Sequence, residues 1–327
     1  MADPVVVDGN SLVMRAIMGS VHEELRLHLP FRGGVYGGLN TLRYVLDRPE
    51  VNAGGAYVCF DHAPPPRRKR LIPGYKAHKD DLTKTVEPFE SVEQKQEVMN
   101  QLWTAWELFE LIGCTCLRYK NREGDDTVGG VVRVMLDKGK RPLVVTSDSD
   151  LWQVVHWGAH VWDLRRDERI HRVNFTLRAG VSTDCYLLYR ALVGGKDGIK
   201  GAIGIGPDRA RDLLERAHWH IRLARDPLAQ LDALCEYIGR RPRSTKAETR
   251  LVADRARLAD TIRGTDLSRS FGPLDGLREC LRRRPEPDER AFLRRCRDLG
   301  FRRVMRNPRR FTVPFAGKRR RVRRKRP

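Results

Sequence analysis

The chain has 327 residues, 40% of them hydrophobic, and it carries 63 Lys and Arg against 42 Asp and Glu, a formal net charge of +21. That length and apolar content exclude a disordered chain and allow two domains with a real core. The charge favours a polyanionic partner, nucleic acid ahead of an anionic membrane surface, and no apolar run reaches the roughly 18 residues of a membrane span.

Part of the charge is local. Residues 302–327 hold 13 Lys and Arg and no carboxylate, which leaves the rest of the chain at +8. The opening Met1-Ala2-Asp3-Pro4-Val5 has no basic n-region, so no signal peptide is expected. Seven cysteines, with only Cys114 and Cys116 close together, read as reduced thiols in a cytoplasmic protein.

Val5-Val6-Val7 predicts a buried strand ending in Asp8-Gly9-Asn10-Ser11, then a helix through Leu12, Met14, Ala16 and Ile17. Val35 to Leu46 has helical spacing. Ala56-Tyr57-Val58-Cys59-Phe60 predicts a second strand ending in Asp61. Residues 62–90 change character. Pro64-Pro65-Pro66, the basic run Arg67-Arg68-Lys69-Arg70, and Tyr75, Lys76 and Lys79 predict an exposed, mobile excursion. Ser91 to Ile112 predicts an amphipathic helix that buries Val92, Leu102, Trp106, Leu108 and Phe109.

Cys114 to Tyr119 predicts a third strand. It leads into Glu123-Gly124-Asp125-Asp126, at the start of a helix that ends near Gly139. Pro142 to Thr146 predicts a fourth strand, followed by Ser147-Asp148-Ser149-Asp150, and His160-Val161-Trp162 a fifth. Strands alternating with helices imply an α/β fold with a mostly parallel sheet. Residues 175–300 show no strand pattern. A helix from Asp184 to Val193, the turn Gly201-Ala202-Ile203-Gly204-Ile205-Gly206 and a helix from Arg209 to Arg216 make a helix, glycine-rich loop, helix unit. Residues 221–300 read as a helical extension.

The acids have a common position. Asp8, Asp61 and Asp148 each lie at or just past the C-terminal end of a predicted strand, and the Glu123 stretch follows another. In a parallel sheet those ends share one edge, where ligands bind. Asp8, Asp61, Glu123, Asp125, Asp126, Asp148 and Asp150 are therefore expected to face one cleft. Each acid alone is equally explained as an N-cap or turn residue. So many like charges together call for cations, and two Mg²⁺ or Mn²⁺ ions about 4 Å apart are the natural occupants. An acidic two-metal site on a basic protein points to phosphodiester hydrolysis.

Five blocks, in order, resemble the flap endonuclease or 5′-3′ exonuclease family, which includes the 5′-nuclease domain of bacterial DNA polymerase I and free-standing phage enzymes. They are Val6-Val7-Asp8-Gly9-Asn10-Ser11-Leu12 with Arg15, Val58-Cys59-Phe60-Asp61 with Arg68 and Tyr75-Lys76-Ala77-His78-Lys79, and Glu123-Gly124-Asp125-Asp126. Thr146-Ser147-Asp148-Ser149-Asp150-Leu151-Trp152-Gln153 and Asp197-Gly198-Ile199-Lys200-Gly201 with Gly204-Ile205-Gly206 complete the set.

The resemblance implies a PIN-like 5′-nuclease fold over 1–174 with an arch at about 62–90, and a helical DNA-binding domain over 175–300. A helix-three-turn-helix at about 184–216 and a basic, disordered tail over 301–327 complete it. Asp8, Asp61, Glu123, Asp125 and Asp126 would hold the first metal; Asp148, Asp150 and Asp197 the second. Lys76 would reach the scissile phosphate; Arg15, Arg68 and Lys79 would contact DNA and Tyr75 would stack on a base. Lys200, Gly201, Gly204 and Gly206 would grip duplex DNA, and the turn's carbonyls would hold K⁺. Many members carry a further Asp where Gly194-Gly195-Lys196 stands, and Asn where Gly198 stands.

The implied protein is a structure-specific 5′ nuclease acting on DNA 5′ ends or flaps, RNA-primed ends included, in replication or repair. It would be a cytoplasmic, phage-type, free-standing monomer in a bacterial or phage-infected cell, working beside replication proteins. The competing readings are a branched-DNA-binding protein with weakened catalysis and a related ribonuclease.

Overall fold

The computed structural model describes residues 4–26, 32–48, 51, 56–77, 91–224, 226–282 and 285–312. The N-terminal half is built on a six-stranded sheet in the order β3-β2-β1-β4-β5-β6. The strands are β1 (Val5–Asp8), β2 (Ala56–Cys59), β3 (Thr115–Leu117), β4 (Leu143–Thr146), β5 (His160–Asp163) and β6 (Glu168–Ile170). The first five run parallel and β6 is antiparallel to β5. The sequence reading missed β6, because Glu168-Arg169-Ile170 is too short and polar to show an apolar run.

Strand period decides which residues meet which layer. Val6, Tyr57, Cys59, Val144 and Val161 face one core, and Val5, Val7, Val58, Leu143 and Val145 face the other. The second core is covered by helices α1 (Gly9–Arg26), α2 (Gly33–Leu46) and α4 (Val92–Leu111). In α4, Leu102, Leu108 and Phe109 are buried as expected, while Val92 lies outside the described side chains. Helix α5 (Gly124–Asp137) closes the first core with Val128, Val131, Val132 and Met135.

The short helix α3 (Pro66–Leu71) starts on Pro66, whose fixed φ suits a first helical position. It is not part of an exposed excursion. Arg67 donates to the carbonyls of Arg263 and Arg269, and Arg68 Nε to that of Gly264. A Cβ on Gly264 would sit 2.7 Å from Ile72 Cδ1, so the missing side chain lets the two segments close. The expectation for 62–90 is thus corrected over residues 66–77; residues 78–90, including Lys79, lie outside the described residues.

Past β6 the described chain has no further named strand. Helices α6 (Tyr186–Val193), α7 (Pro207–Arg216), α8 (Pro227–Gly239), α9 (Lys246–Ala253) and α10 (Arg255–Thr265) extend the first core. Helix α11 (Glu289–Asp298) belongs to the other face of the sheet: Phe292 and Cys296 are buried in the second core beside α4. Phe301, Val304 and Phe311 follow them, within and beside helices α12 (Arg302–Arg306) and α13 (Arg309–Thr312). Residues 302–312 are therefore folded, which corrects the expectation of disorder from 301 onward. The basic run masked that signal: three apolar anchors are spread thinly among arginines. Residues 313–327 lie outside the described residues. No helix among the described residues is long and apolar enough to cross a membrane.

Candidate active site

The strand order reverses direction at β1, with β2 on one side and β4 on the other, which opens a crevice at the C-terminal edge. Asp8 and Asp148 sit at that crevice. Asp8 is buried, and its two oxygens accept from Ser11 N at 2.9 Å and Thr146 Oγ1 at 2.9 Å. Thr146 Oγ1 in turn accepts from Asp148 N at 2.9 Å, and Asp148 Oδ1 from Asp150 N at 2.8 Å. One threonine hydroxyl therefore locks the two strand ends together.

Asp61 arrives from β2. Its backbone N–H donates to Asn10 Oδ1 at 3.0 Å and its Oδ1 accepts from Gly124 N at 2.5 Å. A Cβ on Gly124 would lie 2.9 Å from that same oxygen. Glycine at this position lets the start of α5 come up to Asp61, and with it Asp125.

Burial and like charge act together on two of these acids. Burial pushes the Asp8 carboxyl up to about 7, with Asp61 and Asp148 adding to the rise against the opposing Ser11 and Thr146 hydrogen bonds. Burial also raises Asp125 well above the ordinary range, and Asp148, Asp8 and Asp61 raise it further. Among the described residues no three carboxylates close on a single point as ligands of one bound ion would. Their mutual influence is that of like charges arranged around a shared space. An oxygen-only donor set is the chemistry that suits a hard divalent cation, and Asp8, Asp61, Asp125 and Asp148 are its candidate ligands at this edge of the sheet.

Glu123 and Asp126 behave differently. Asp126 is fully buried, with one oxygen accepting from Arg68 Nη2 at 2.7 Å and the other from Glu123 N at 3.0 Å. Glu123 pairs with Arg68 Nη1 and Lys76 Nζ and accepts from Tyr75 OH at 2.8 Å. Burial opposes its charge, but Arg68 and Lys76 prevail and hold the Glu123 carboxyl below its ordinary value. These two acids thus anchor cations, and the expectation that both ligate the first metal is not supported by their contacts. Arg68 is correspondingly buried at 5% exposure. Tyr75 is 6% exposed with its hydroxyl engaged, so it offers no face to a base.

Lys76 stays at the cleft. It lies in the left-handed region at φ 52°, as does Asp197 at φ 60°, and Lys76 N donates to the Asp197 carbonyl at 2.9 Å. Lys76 Nζ is 3.7 Å from Asp197 Oδ2. Two non-glycine residues in that region mark a backbone held by its surroundings. Gly198 makes the junction possible: a Cβ there would lie 2.6 Å from the Gly74 carbonyl oxygen. The Gly at 198 is explained by this close approach.

Asp150 is paired with Arg190 of α6, a partner that sequence reasoning missed. The signal was a lone arginine in the apolar helix Tyr186-Leu187-Leu188-Tyr189-Arg190-Ala191-Leu192-Val193. Burial and Asp148 raise the Asp150 carboxyl above its ordinary value while Arg190 works against them.

Further out, Arg15 is exposed on α1 and Lys200 is exposed on the glycine-rich turn. Gly201 packs against the Val193 backbone, where a Cβ would lie 2.4 Å away, and Gly204 takes φ 81°. Gly206 is the residue before α7. Arg257 donates to the carbonyls of Lys200 at 2.6 Å and Gly201 at 2.9 Å, and Arg209 to that of Gly204 at 2.9 Å. Guanidinium groups therefore already occupy carbonyls of the turn that was expected to hold K⁺.

A parallel sheet with acids gathered at its switch point, joined to a helical unit with a glycine-rich turn, defines the class of 5′-nuclease-like α/β proteins. The chain belongs to the 5′-3′ exonuclease family: the model of its N-terminal, resolvase-like domain matches residues 3–180. It is 27% identical over 225 residues to a 5′-3′ exonuclease of Mycoplasma pneumoniae, covering 66% of this chain and 72% of that one. It is also 27% identical over 217 residues to DNA polymerase I of Rhizobium leguminosarum, of which the match spans 20%. The fold is that of the T5 5′-exonuclease solved with bound zinc, with a TM-score of 0.66 at 16% identity, covering 85% of this chain and 98% of that one. The catalytic core of Rad2 in complex with a DNA substrate superposes with a TM-score of 0.54 at 12% identity, covering 96% and 92% of the two chains.

Proposed function

We propose that the protein is a divalent-metal-dependent 5′ nuclease that hydrolyses DNA phosphodiesters at 5′ ends or flaps. The observation that carries this reading is the set of four carboxylates, Asp8, Asp61, Asp125 and Asp148, brought by separate segments to one crevice, where burial and then the neighbouring acids raise Asp8 and Asp125. Family membership and the net charge of +21 support DNA as the polyanion.

In this reading the four acids hold Mg²⁺ or Mn²⁺. When bound there, divalent ions supply activation of a water nucleophile and neutralisation of the charge on the phosphate. Lys76, fixed by its backbone bond to Asp197 and paired with Glu123 in the DNA-free protein, supplies an ammonium for the phosphate. Its charge is secure: burial alone would lower its pKa, but Glu123 and its neighbours raise it above the ordinary lysine value. Arg68, Glu123, Asp126 and Tyr75 form the buried scaffold that positions Lys76. Arg15, Lys200 and the Gly201–Gly206 turn that opens α7 face the DNA backbone, which needs donors and positive charge but no base readout. K⁺ is not part of this reading, because Arg257 and Arg209 already bond carbonyls of the turn. We retain the catalytic domain at 1–174, and extend it to include 289–312, which packs on the same sheet. A cytoplasmic monomer working beside replication proteins completes the proposal.

The test is a labelled 5′-flap substrate incubated with Mg²⁺ or Mn²⁺. Metal-dependent release of the flap supports the reading; binding with no cleavage in either metal leaves only a branched-DNA-binding protein. Equal cutting of unstructured RNA would favour a ribonuclease instead.

A further inference from the structure

On the side of the cleft that Asp61 lines, an indole ring stands at the surface. Trp103 of α4 is 44% exposed, and Met99, one turn before it, is 42% exposed. The helix reaches the second core through other positions, Leu102, Ala105, Leu108 and Phe109. A lone exposed aromatic is common on protein surfaces and asks for no explanation. This one is braced in place, and both braces lead to Asp61. The Arg118 guanidinium lies 4.8 Å from the centre of the Trp103 ring, and Arg118 Nε donates to the Asp61 carbonyl at 2.8 Å. Trp103 also packs on Trp106 at 6.2 Å between ring centres, and Trp106 on Phe60 at 5.1 Å. Phe60 is the residue before Asp61, which is itself exposed at the cleft.

The chemistry of this surface selects its occupant. An indole face and a guanidinium plane both attract flat π systems, nucleobases among them. Bases within a duplex are already stacked on their neighbours and offer only their edges, so the ring is open to an unpaired base. The local charge suits the backbone that carries such a base. Arg118 and the exposed Lys120 lie together after β3, and Glu107, one turn beyond Trp103, is already paired with Arg295 at 2.8 Å. Tyr75, the aromatic expected in this role from the sequence, is buried with its hydroxyl bonded to Glu123.

We propose that Trp103, held by Arg118, is the stacking seat for an unpaired base of the 5′ flap near the phosphate that lies at the acids. The proposal rests on the reading of the cleft as a 5′-nuclease site given above. The seat recognises the face of a base and not its edge, so it accepts any of the four bases and discriminates against a nucleotide that has none. It adds affinity for a single strand without adding affinity for a duplex end.

The experiment measures flap binding by fluorescence anisotropy in Ca²⁺, with a gel to verify that the substrate stays uncut. One flap carries all its bases; in the others a single abasic nucleotide replaces one of the first few unpaired positions. Wild type is expected to lose about tenfold in affinity at one of these positions. Trp103→Ala and Trp103→Gln are both expected to bind the intact flap about tenfold more weakly and to lose the abasic penalty, whereas Trp103→Phe keeps it. A duplex with no flap is expected to bind all four forms alike. Thermal melting verifies that each variant is folded, and either Trp103→Ala or Trp103→Gln alone decides the matter. Wild type indifferent to every abasic position would overturn the proposal. So would a folded variant in which the abasic penalty persists, whether or not its affinity for the intact flap falls. No binding of the intact flap by wild type would instead overturn the reading of the protein as a 5′ nuclease.

Discussion

At the scale of single residues, the cleft divides its charged groups into two sets with different work. Burial and then the neighbouring acids raise Asp8 and Asp125 beside Asp61 and Asp148, while Glu123 and Asp126 are committed to Arg68 and Lys76. Different consequences follow from mutating each set. Lys76→Ala removes the ammonium from the cleft and should slow single-turnover cleavage by about a hundredfold or more, with flap affinity little changed. A near-normal single-turnover rate would sink its assigned role. Arg68→Ala acts through stability. It leaves Asp126 buried without its cation, a loss of about 3–5 kcal/mol that urea unfolding would register. The sequence showed both acids but could not separate their work, because Glu123-Gly124-Asp125-Asp126 places ligand candidates and scaffold acids side by side. Only the alternation of direction around the first turn of α5 sends Asp126 inward to Arg68 and leaves Asp125 among the other acids.

At the scale of elements, glycines and arginines do the joining. Gly124, Gly198 and Gly264 each permit an approach that a Cβ would block at 2.9, 2.6 and 2.7 Å respectively. The strands and the long helices were legible from apolar runs and helical spacing, since burial of β1, β2 and β4 leaves a continuous hydrophobic signal. The 66–77 segment was not, because its packing runs through Arg67 and Arg68 donating to carbonyls. A composition-based reading scores such residues as solvent-exposed. The helical unit has a similar arginine-based joint. Glu248, in α9, accepts from Thr245 N at 2.7 Å and Arg241 at 2.7 Å, and from Arg216 at the end of α7 at 3.2 Å. Burial opposes its charge, but the Thr245 backbone bond and Arg241 outweigh it and hold the Glu248 carboxyl at about 2. Its folded pKa is depressed, so its contribution is present above the ordinary carboxylate value, about 4.5, and is lost as pH falls toward about 2. Glu248→Gln should cost about 1.5–3 kcal/mol at neutral pH, and the gap from wild type should shrink in acid. A gap that is constant from neutral pH to about pH 3 would contradict this. At the neighbouring turn, exchanging K⁺ for Na⁺ at fixed ionic strength should leave duplex affinity unchanged, measured by fluorescence anisotropy, since Arg257 already bonds the carbonyls of Lys200 and Gly201.

At the scale of the whole molecule, the chain returns to where it began. After building the helical unit on one face of the sheet, it brings Phe292, Cys296, Phe301, Val304 and Phe311 to the opposite face, beside α1, α2 and α4. Asp288 N donates to the Leu111 carbonyl at 2.9 Å and Arg295 pairs with Glu107 at 2.8 Å, fixing that return. The charge of +21 therefore has a folded component in 302–312 as well as the part that lies beyond it. If the four acids at the sheet's switch point make a metal-dependent DNA nuclease, 5′-flap cleavage by wild type and Asp148→Ala will report it. Wild type is expected to cleave in Mg²⁺ or Mn²⁺ and not in EDTA, and Asp148→Ala to bind the flap without cleaving it. Cleavage by wild type in EDTA, or by Asp148→Ala at the wild-type rate, would contradict it.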